Sequence, residues 1–263
     1  MKQVLTIAGS DCSGGAGIQA DLKTFLAHGV YGMSAITALT AQNTMGVTQI
    51  MEVTPEFLQA QFEAIWSDIP PHAVKIGMVA SKSLIEIIGK SLDHYQAKNV
   101  VVDPVMIATS GAALIEQDAM DSLCKVLLPQ ARVITPNLKE AEALVGFDIQ
   151  NQLDMEKAGE VLSKTYGTSV IIKGGHLTDR ADDLLWEDGK PYWFPGKRIK
   201  TQNTHGTGCT LSSALAANLA LGMDLQKGFE LAKAYVAGAL EDGMDLGKGN
   251  GPLNHGYRQY PTV

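Results

Sequence analysis

Six short apolar runs recur along the chain: VLTIAG (4–9), MSAITAL (33–39), AVKIGM (73–78), NVVVDP (99–104), RVITP (132–136) and SVIIKGG (169–175). Most are continuous rather than alternating, the pattern of strands covered by helices on both faces. Between them the apolar positions move to helical spacing. Leu58, Phe62, Ile65 and Trp66 fall at i, i+4, i+7 and i+8. Met120, Leu123, Cys124, Leu127 and Leu128 repeat the pattern, and Phe229, Ala232, Val236, Ala239 and Leu240 form a late stripe. Strand–helix alternation predicts right-handed crossovers and a mostly parallel sheet. The segment DDLLWEDGKPYWFPG (182–196) differs, because Asp188-Gly189 stands between two strand-like runs. That pair is a type I′ hairpin signal, so an antiparallel hairpin is expected near one sheet edge. No repeat, linker or low-complexity run intervenes. The expectation is one three-layer α/β/α domain over residues 1–263.

One stretch tests that picture. From Thr24 to Met51 there is no Asp, Glu, Lys or Arg. A membrane helix needs about 20 mostly apolar residues, but this stretch carries five threonines, three glycines, His28, Gln42 and Asn43. It reads as a helix end, a loop and a fully buried strand. The N-terminal apolar run ends after five residues, too short for a signal-peptide core.

Composition narrows the partners. The 45% apolar and 19% charged residues fit a globular protein with a real core. The net charge is −7 and long basic runs are absent, which argues against nucleic acid or an anionic membrane as partner. Cys12, Cys124 and Cys209 lie far apart, with neither CxxC nor His/Cys metal spacing. A reducing, cytoplasmic setting is expected. Cys124, on an apolar helix face, reads as core.

In such sheets ligands bind beyond the carboxyl ends of the strands. Gly15-x-Gly17-x-x-Ala20 resembles a dinucleotide fingerprint, but no Asp or Glu occurs between Asp21 and Glu52 to hold a ribose. No Gly-Lys-Ser/Thr follows either, so it is not a phosphate-binding Walker loop. The loop reads as a glycine turn needed for packing, or as bare backbone that lets a flat ligand approach. Asn137 with Glu140 three residues later forms a capping box; directly after a strand, the carboxylate is also placed to orient a hydrated Mg²⁺. Asp103 before Pro104 is either a turn cap or a carboxylate on the metal side. Lys173 finishes an apolar strand beside two glycines, where its charge suits a phosphoryl group. NTHGTGCTLSSALAA (203–217) runs from glycines into a helix. Converging amides and the helix dipole there make an anion hole, and the same field favours a thiolate at Cys209. Thr207 is a further hydroxyl donor in this reading.

LTIAGSDCSGGAGIQADLKTF, ALTAQNT, KIGM, DPVM, TPNLKEAEAL, KGGH, NTHGTGCTLSSA and GKGNGP occur in this order. Together they resemble the bacterial hydroxymethylpyrimidine/phosphomethylpyrimidine kinases of thiamine biosynthesis, in the ribokinase-like superfamily, over nearly the whole chain. The resemblance implies an ATP- and Mg²⁺-dependent enzyme. It implies phosphorylation of 4-amino-5-hydroxymethyl-2-methylpyrimidine to its monophosphate and then its diphosphate. It puts Gln42 on the aminopyrimidine edge, where an amide offers a donor and an acceptor, with Gly9, Asp21 and Met78 around the ring. Asn137, Glu140, Asp103 and His205 fall to the Mg²⁺–ATP side, with Glu140 and Asp103 as metal carboxylates. Lys173 meets the phosphates, and Gly206, Thr207, Gly208 and Cys209 hold the transferring group. Many sugar kinases of that superfamily carry an Asp as base where this chain has Cys209; the expectation is that its thiolate takes the hydroxyl proton. A pyridoxal kinase or dual-specificity enzyme is the nearest alternative, and a non-catalytic vitamin- or nucleotide-binding sensor and an NAD oxidoreductase are remoter ones. A homodimer is the common expectation for such a chain. Glycines 14, 15 and 17 and the 105–113 stretch are candidate lids.

Overall fold

The computed structural model describes residues 1–106, 117–174 and 181–262. Most of the 105–113 lid candidate lies outside them. Nine strands form one sheet in the order β3-β2-β1-β4-β5-β6-β7-β8-β9. Six are parallel: β1 (Gln3–Asp11), β2 (Tyr31–Asn43), β4 (Ala73–Ile76), β5 (Val100–Val102), β6 (Val133–Ile134) and β7 (Ser169–Ile172). Their odd and even residues explain the continuous apolar runs. Val100 and Val102 face one core while Val101 faces the other, and Val170, Ile172 and Ile171 divide in the same way. Helices cover both faces. On one side lie α2 (Pro55–Asp68), α3 (Lys82–His94), α4 (Gln117–Ser122), α5 (Leu138–Val145) and α6 (Gln152–Tyr166); on the other lie α1 (Gly17–Ala27), α7 (Thr207–Ala220) and α8 (Leu225–Asp242). Cys124 continues α4 and packs, partly buried, against the first core.

The expected hairpin is present as β8 (Asp183–Glu187) and β9 (Lys190–Phe194). Asp188 and Gly189 take φ of 52° and 75°, the two positive values that a type I′ turn requires. A second hairpin was not expected. The charge-free stretch after α1 is not a loop and a buried strand. It is β2 folded back onto an antiparallel β3 (Gly46–Glu52), whose last five residues are exposed. Threonine and glutamine serve an exposed edge strand as well as charge does, and absence of charge is therefore a poor measure of burial.

Helix α7 is covered all round, its few polar side chains included. Every residue from Thr210 to Ala220 is buried, packed between α1, α8 and the sheet. This element carries the glycine-rich loop of NTHGTGC (203–209) into the middle of the molecule.

Candidate active site

The carboxyl ends of β1, β4, β5, β6 and β7 open into one cleft of about 1730 Å³, closed on its other side by β9, the segment to Thr207 and α8. Gly9, Gln42, Met78, Asp103, Asn137, Glu140, Lys173, His205, Gly206, Thr207, Gly208 and Cys209 all line it.

At one end stands an ionic cluster. Lys173 Nζ lies 2.9 Å from Asp103 Oδ1 and 4.0 Å from Glu140 Oε2. Thr135 donates to the same Asp103 oxygen at 3.0 Å. The capping box is present: Glu140 N–H donates to Asn137 Oδ1 at 2.9 Å and Asn137 N–H to Glu140 Oε2 at 2.7 Å. The cap therefore holds the carboxylate beside Lys173, and the two readings of Asn137 and Glu140 are compatible. Burial pushes the Glu140 carboxyl up; the Lys173 charge opposes this and Asp103 adds to it. Burial pushes Lys173 down, but Asp103 and Glu140 outweigh it and hold the ammonium charged. Two buried carboxylates facing one lysine leave a site short of positive charge. That chemistry suits Mg²⁺, which takes one or two carboxylates plus phosphate and water oxygens. Among the described residues no group of three metal-ligating side chains forms a cage.

The N-terminus of α7 meets this cluster directly. A Cβ on Gly208 would lie 3.3 Å from Asp103 Oδ2 and 3.5 Å from Lys173 Nζ, so the bare residue permits the approach. Gly206 caps the helix at φ 83°, against the carbonyl of Gly15. Thr207 differs from expectation: its hydroxyl donates to the Thr204 carbonyl at 2.8 Å and is no free donor. Cys209 differs too. Burial pushes its thiol up; Lys75 and the Gly17 amide pull it down, Asp21 and Asp103 push it further up, and the net direction is upward. The resting group is a thiol, because the helix field does not offset desolvation here.

The other end holds a glutamine amide and one carboxylate, Asp11. Gly9 and Met78 pack together, the Met78 methyl taking the place a Gly9 side chain would need. Gln42 sits at a β-bulge, where the pairing with β3 shifts between Ala41 and Gln42; bulges re-aim side chains. His205, expected on the nucleotide side, stands here instead: its Nε2 lies 2.8 Å from Asp11 Oδ2 and 3.4 Å from the Gln42 amide. Asp21 was expected near the ring and does not reach the cleft. It is fully buried and accepts from Thr6 at 2.6 Å, Lys75 at 2.8 Å and Ser213 at 2.7 Å. A carboxylate one helical turn into α1 points back into the layer between helix and sheet, where it meets Lys75.

Three groups escaped sequence reasoning. Lys75 interrupts the apolar run AVKIGM, and a charge inside a buried strand was the available signal. Asp11 closes β1. Burial pushes its carboxyl up, but hydrogen bonds from His205, Ser13 and the Ala16 amide bring it to about 2. Lys233 pairs with Asp183 at 2.6 Å in the cleft wall, and nothing in their local sequence marks them.

The phosphomethylpyrimidine kinase family pattern matches residues 11–254. The chain belongs to that family. The hydroxymethylpyrimidine/phosphomethylpyrimidine kinase of Rhizobium meliloti is 48% identical over 97% of both chains. The crystal structure of a phosphomethylpyrimidine kinase from Clostridium difficile superposes with a TM-score of 0.82 at 46% identity, covering 90% of this chain and 98% of the other. A pyridoxal kinase from Staphylococcus aureus, solved with AMP-PCP and pyridoxal, superposes with a TM-score of 0.90 at 35% identity, over 99% and 96% of the two chains. As a member of the phosphomethylpyrimidine kinase family the chain is a phosphotransferase of the ribokinase-like fold.

Proposed function

We propose that the chain transfers the terminal phosphoryl group of ATP to the hydroxymethyl oxygen of 4-amino-5-hydroxymethyl-2-methylpyrimidine, and then a second phosphoryl group to the monophosphate, for thiamine biosynthesis. The observation that carries this reading is one cleft with an amide at one end, an ionic cluster at the other and the N-terminus of α7 between them. Gln42 meets the aminopyrimidine edge while Gly9 and Met78 bound the ring. The hydroxyl oxygen attacks the γ-phosphorus, the bond to the β,γ-bridging oxygen breaks, and ADP leaves. Lys173 and the amides of 206–209 neutralise the charge of a loose transition state, the main task in phosphoryl transfer. The fraction of the protein in which Cys209 is a thiolate receives the hydroxyl proton late in the step. Glu140 and Asp103 would hold Mg²⁺, which when bound supplies charge neutralisation on the phosphate oxygens.

The pyridoxal-bound relative favours a second reading, pyridoxal kinase. The two separate by product analysis: incubation with Mg²⁺–ATP and each alcohol should give mono- and diphosphate from the pyrimidine. Gln42→Met should lower kcat/KM for the pyrimidine by about tenfold or more, one or two lost hydrogen bonds, with little effect on pyridoxal. Turnover of pyridoxal alone overturns the pyrimidine assignment.

One domain over 1–263 is supported by the unbroken sheet from β3 to β9. A homodimer is supported by Leu39, Met45, Ile50 and Met51, which leave apolar surface exposed on the β2–β3 hairpin. The three free cysteines support a reducing cytoplasm. Among the described residues no helix is long and apolar enough to cross a membrane, and the net charge of −7 speaks against nucleic acid.

A further inference from the structure

We propose that Asp11 and His205 form a relay that fixes the orientation of the Gln42 amide, and so sets which pyrimidine edge the cleft accepts. The proposal rests on the pyrimidine-kinase reading and adds positioning residues to it.

The hydrogen-bond count leaves little freedom. Asp11 Oδ1 accepts from Ser13 N–H at 2.9 Å and Ser13 Oγ at 2.7 Å; Oδ2 accepts from Gly15 N–H at 3.0 Å and Ala16 N–H at 2.8 Å. An ionised carboxylate only accepts, so His205 Nε2, 2.8 Å away, carries a hydrogen and donates it. His205 has no room to turn, because its ring lies against Gly15 and its backbone is tied to Gly251 and Pro252.

One end of the Gln42 amide lies 3.4 Å from this His205 nitrogen, and the other lies 3.1 Å from Thr40 Oγ1. Thr40 has one hydroxyl hydrogen, and the Ser10 carbonyl at 2.8 Å takes it. Thr40 Oγ1 is therefore an acceptor for the amide, while His205 Nε2, whose hydrogen is directed at Asp11, has no lone pair left to accept from it. The two ends of an amide are alike in shape, and the surrounding network assigns them. With nitrogen toward His205, two donors would face each other and the Thr40 acceptor would meet an oxygen. With oxygen toward His205 and nitrogen toward Thr40, the Thr40 contact becomes a hydrogen bond, and the oxygen shares the Nε2 hydrogen with Asp11 as the longer arm of a bifurcated bond. The Gln42 backbone is pinned as well: its N–H donates to Cys12 Sγ at 3.3 Å, and the Cys12 thiol donates to its carbonyl at 3.1 Å.

Gln42 then offers the cleft a donor on the Thr40 side and an acceptor on the His205 side, in fixed order. A 4-aminopyrimidine supplies the complement, a ring-nitrogen acceptor beside an amino donor. The 4-oxo analogue supplies the reverse, a ring N–H beside a carbonyl. A locked amide takes the first and refuses the second; an amide free to turn takes both.

The test compares the two pyrimidines in the wild-type protein and in His205→Asn, His205→Gln and Asp11→Asn. Affinity is read by calorimetric titration without nucleotide, and turnover is read separately. A glutamine places its N–H near the Nε2 position and an asparagine falls short of it. The expected result is a preference for the amino ring of roughly a hundredfold in the wild type, two mismatched hydrogen bonds. That preference should shrink to within about threefold in His205→Asn and be largely kept in His205→Gln, with the KM for ATP unchanged. In a Gln42→Met background, His205→Asn should cost the amino ring nothing further, as coupling through a shared partner requires. A preference that survives His205→Asn, or equal losses on both rings, overturns the relay. Intact discrimination in binding without turnover overturns the kinase reading alone.

Discussion

Two lysines of the same sheet, one in β4 and one directly after β7, pair with aspartates at nearly equal distance, Lys75 with Asp21 at 2.8 Å and Lys173 with Asp103 at 2.9 Å. They differ in what surrounds them. Lys75 and Asp21 are fully sealed, and Thr6 and Ser213 complete the carboxylate's hydrogen bonds. Lys173 keeps 18% of its side chain exposed, directly into the cleft, with a second carboxylate nearby. The first pair is a closed account within the fold. The second has donor capacity left over, and an open ammonium faces the place where phosphate oxygens would arrive. Unspent hydrogen-bonding capacity at an open face, more than the presence of a buried charge, marks the chemistry.

The comparison breaks if removal of either lysine has the same effect. Lys75→Met should cost about 3–5 kcal/mol of stability, because Asp21 is left as an uncompensated buried charge. Chemical denaturation would show it, and adding Asp21→Leu should recover most of the loss. Lys173→Ala should cost clearly less stability than Lys75→Met, because the cleft admits water to Asp103 and Glu140, and should lower kcat by about 10²–10³-fold, the range for removing one charge-stabilising donor. Loss of stability without loss of rate at Lys173 would reverse the assignment.

Cys209 lies in the field of both pairs and sharpens the contrast. Its thiol is pushed above the ordinary cysteine value, so below that raised value the thiolate fraction grows with pH. A rate that uses the thiolate therefore rises with pH through the neutral and mildly alkaline range. Cys209→Ala should remove that limb and lower kcat by about 10²-fold, the lower end expected for a general base; a parallel pH profile in the variant would exclude the role. The smallest effect belongs to Glu140→Gln. Glutamine preserves the capping box, so stability should change by less than about 0.5 kcal/mol. The Mg²⁺ concentration for half-maximal rate should still rise several-fold, read from a metal titration of kcat.

Layering and parallel strand order were legible because burial on both faces forces continuous apolar runs. The β8–β9 turn was legible because Asp-Gly reports backbone geometry directly. The β2–β3 hairpin was not, since Thr44 to Gly46 carry a weaker turn signal and the strand's exposed side is uncharged. Among site residues, Lys173, Asp103 and Gln42 stood out because each stands at or just past the carboxyl end of an apolar run. Asp21 misled for a physical reason: its place in the motif reports the helix, and the direction its side chain takes is set by Lys75, 54 positions later. His205 was placed by its neighbours in the loop, whereas its partner Asp11 is 194 residues away. Sequence proximity carries local geometry well and tertiary pairing poorly.

Helix α7 joins the glycine-rich turn that lines the cleft to the buried interior, and its middle and C-terminal residues have no free side on which to adjust. The helix therefore behaves as a rigid rod clamped along its shaft, with the working tip at Gly206–Cys209. An extra methyl at Ala214 or Ala217, two or three turns away, would displace that tip along with the shaft. Turnover number in this protein becomes a gauge of packing at positions that never approach a ligand.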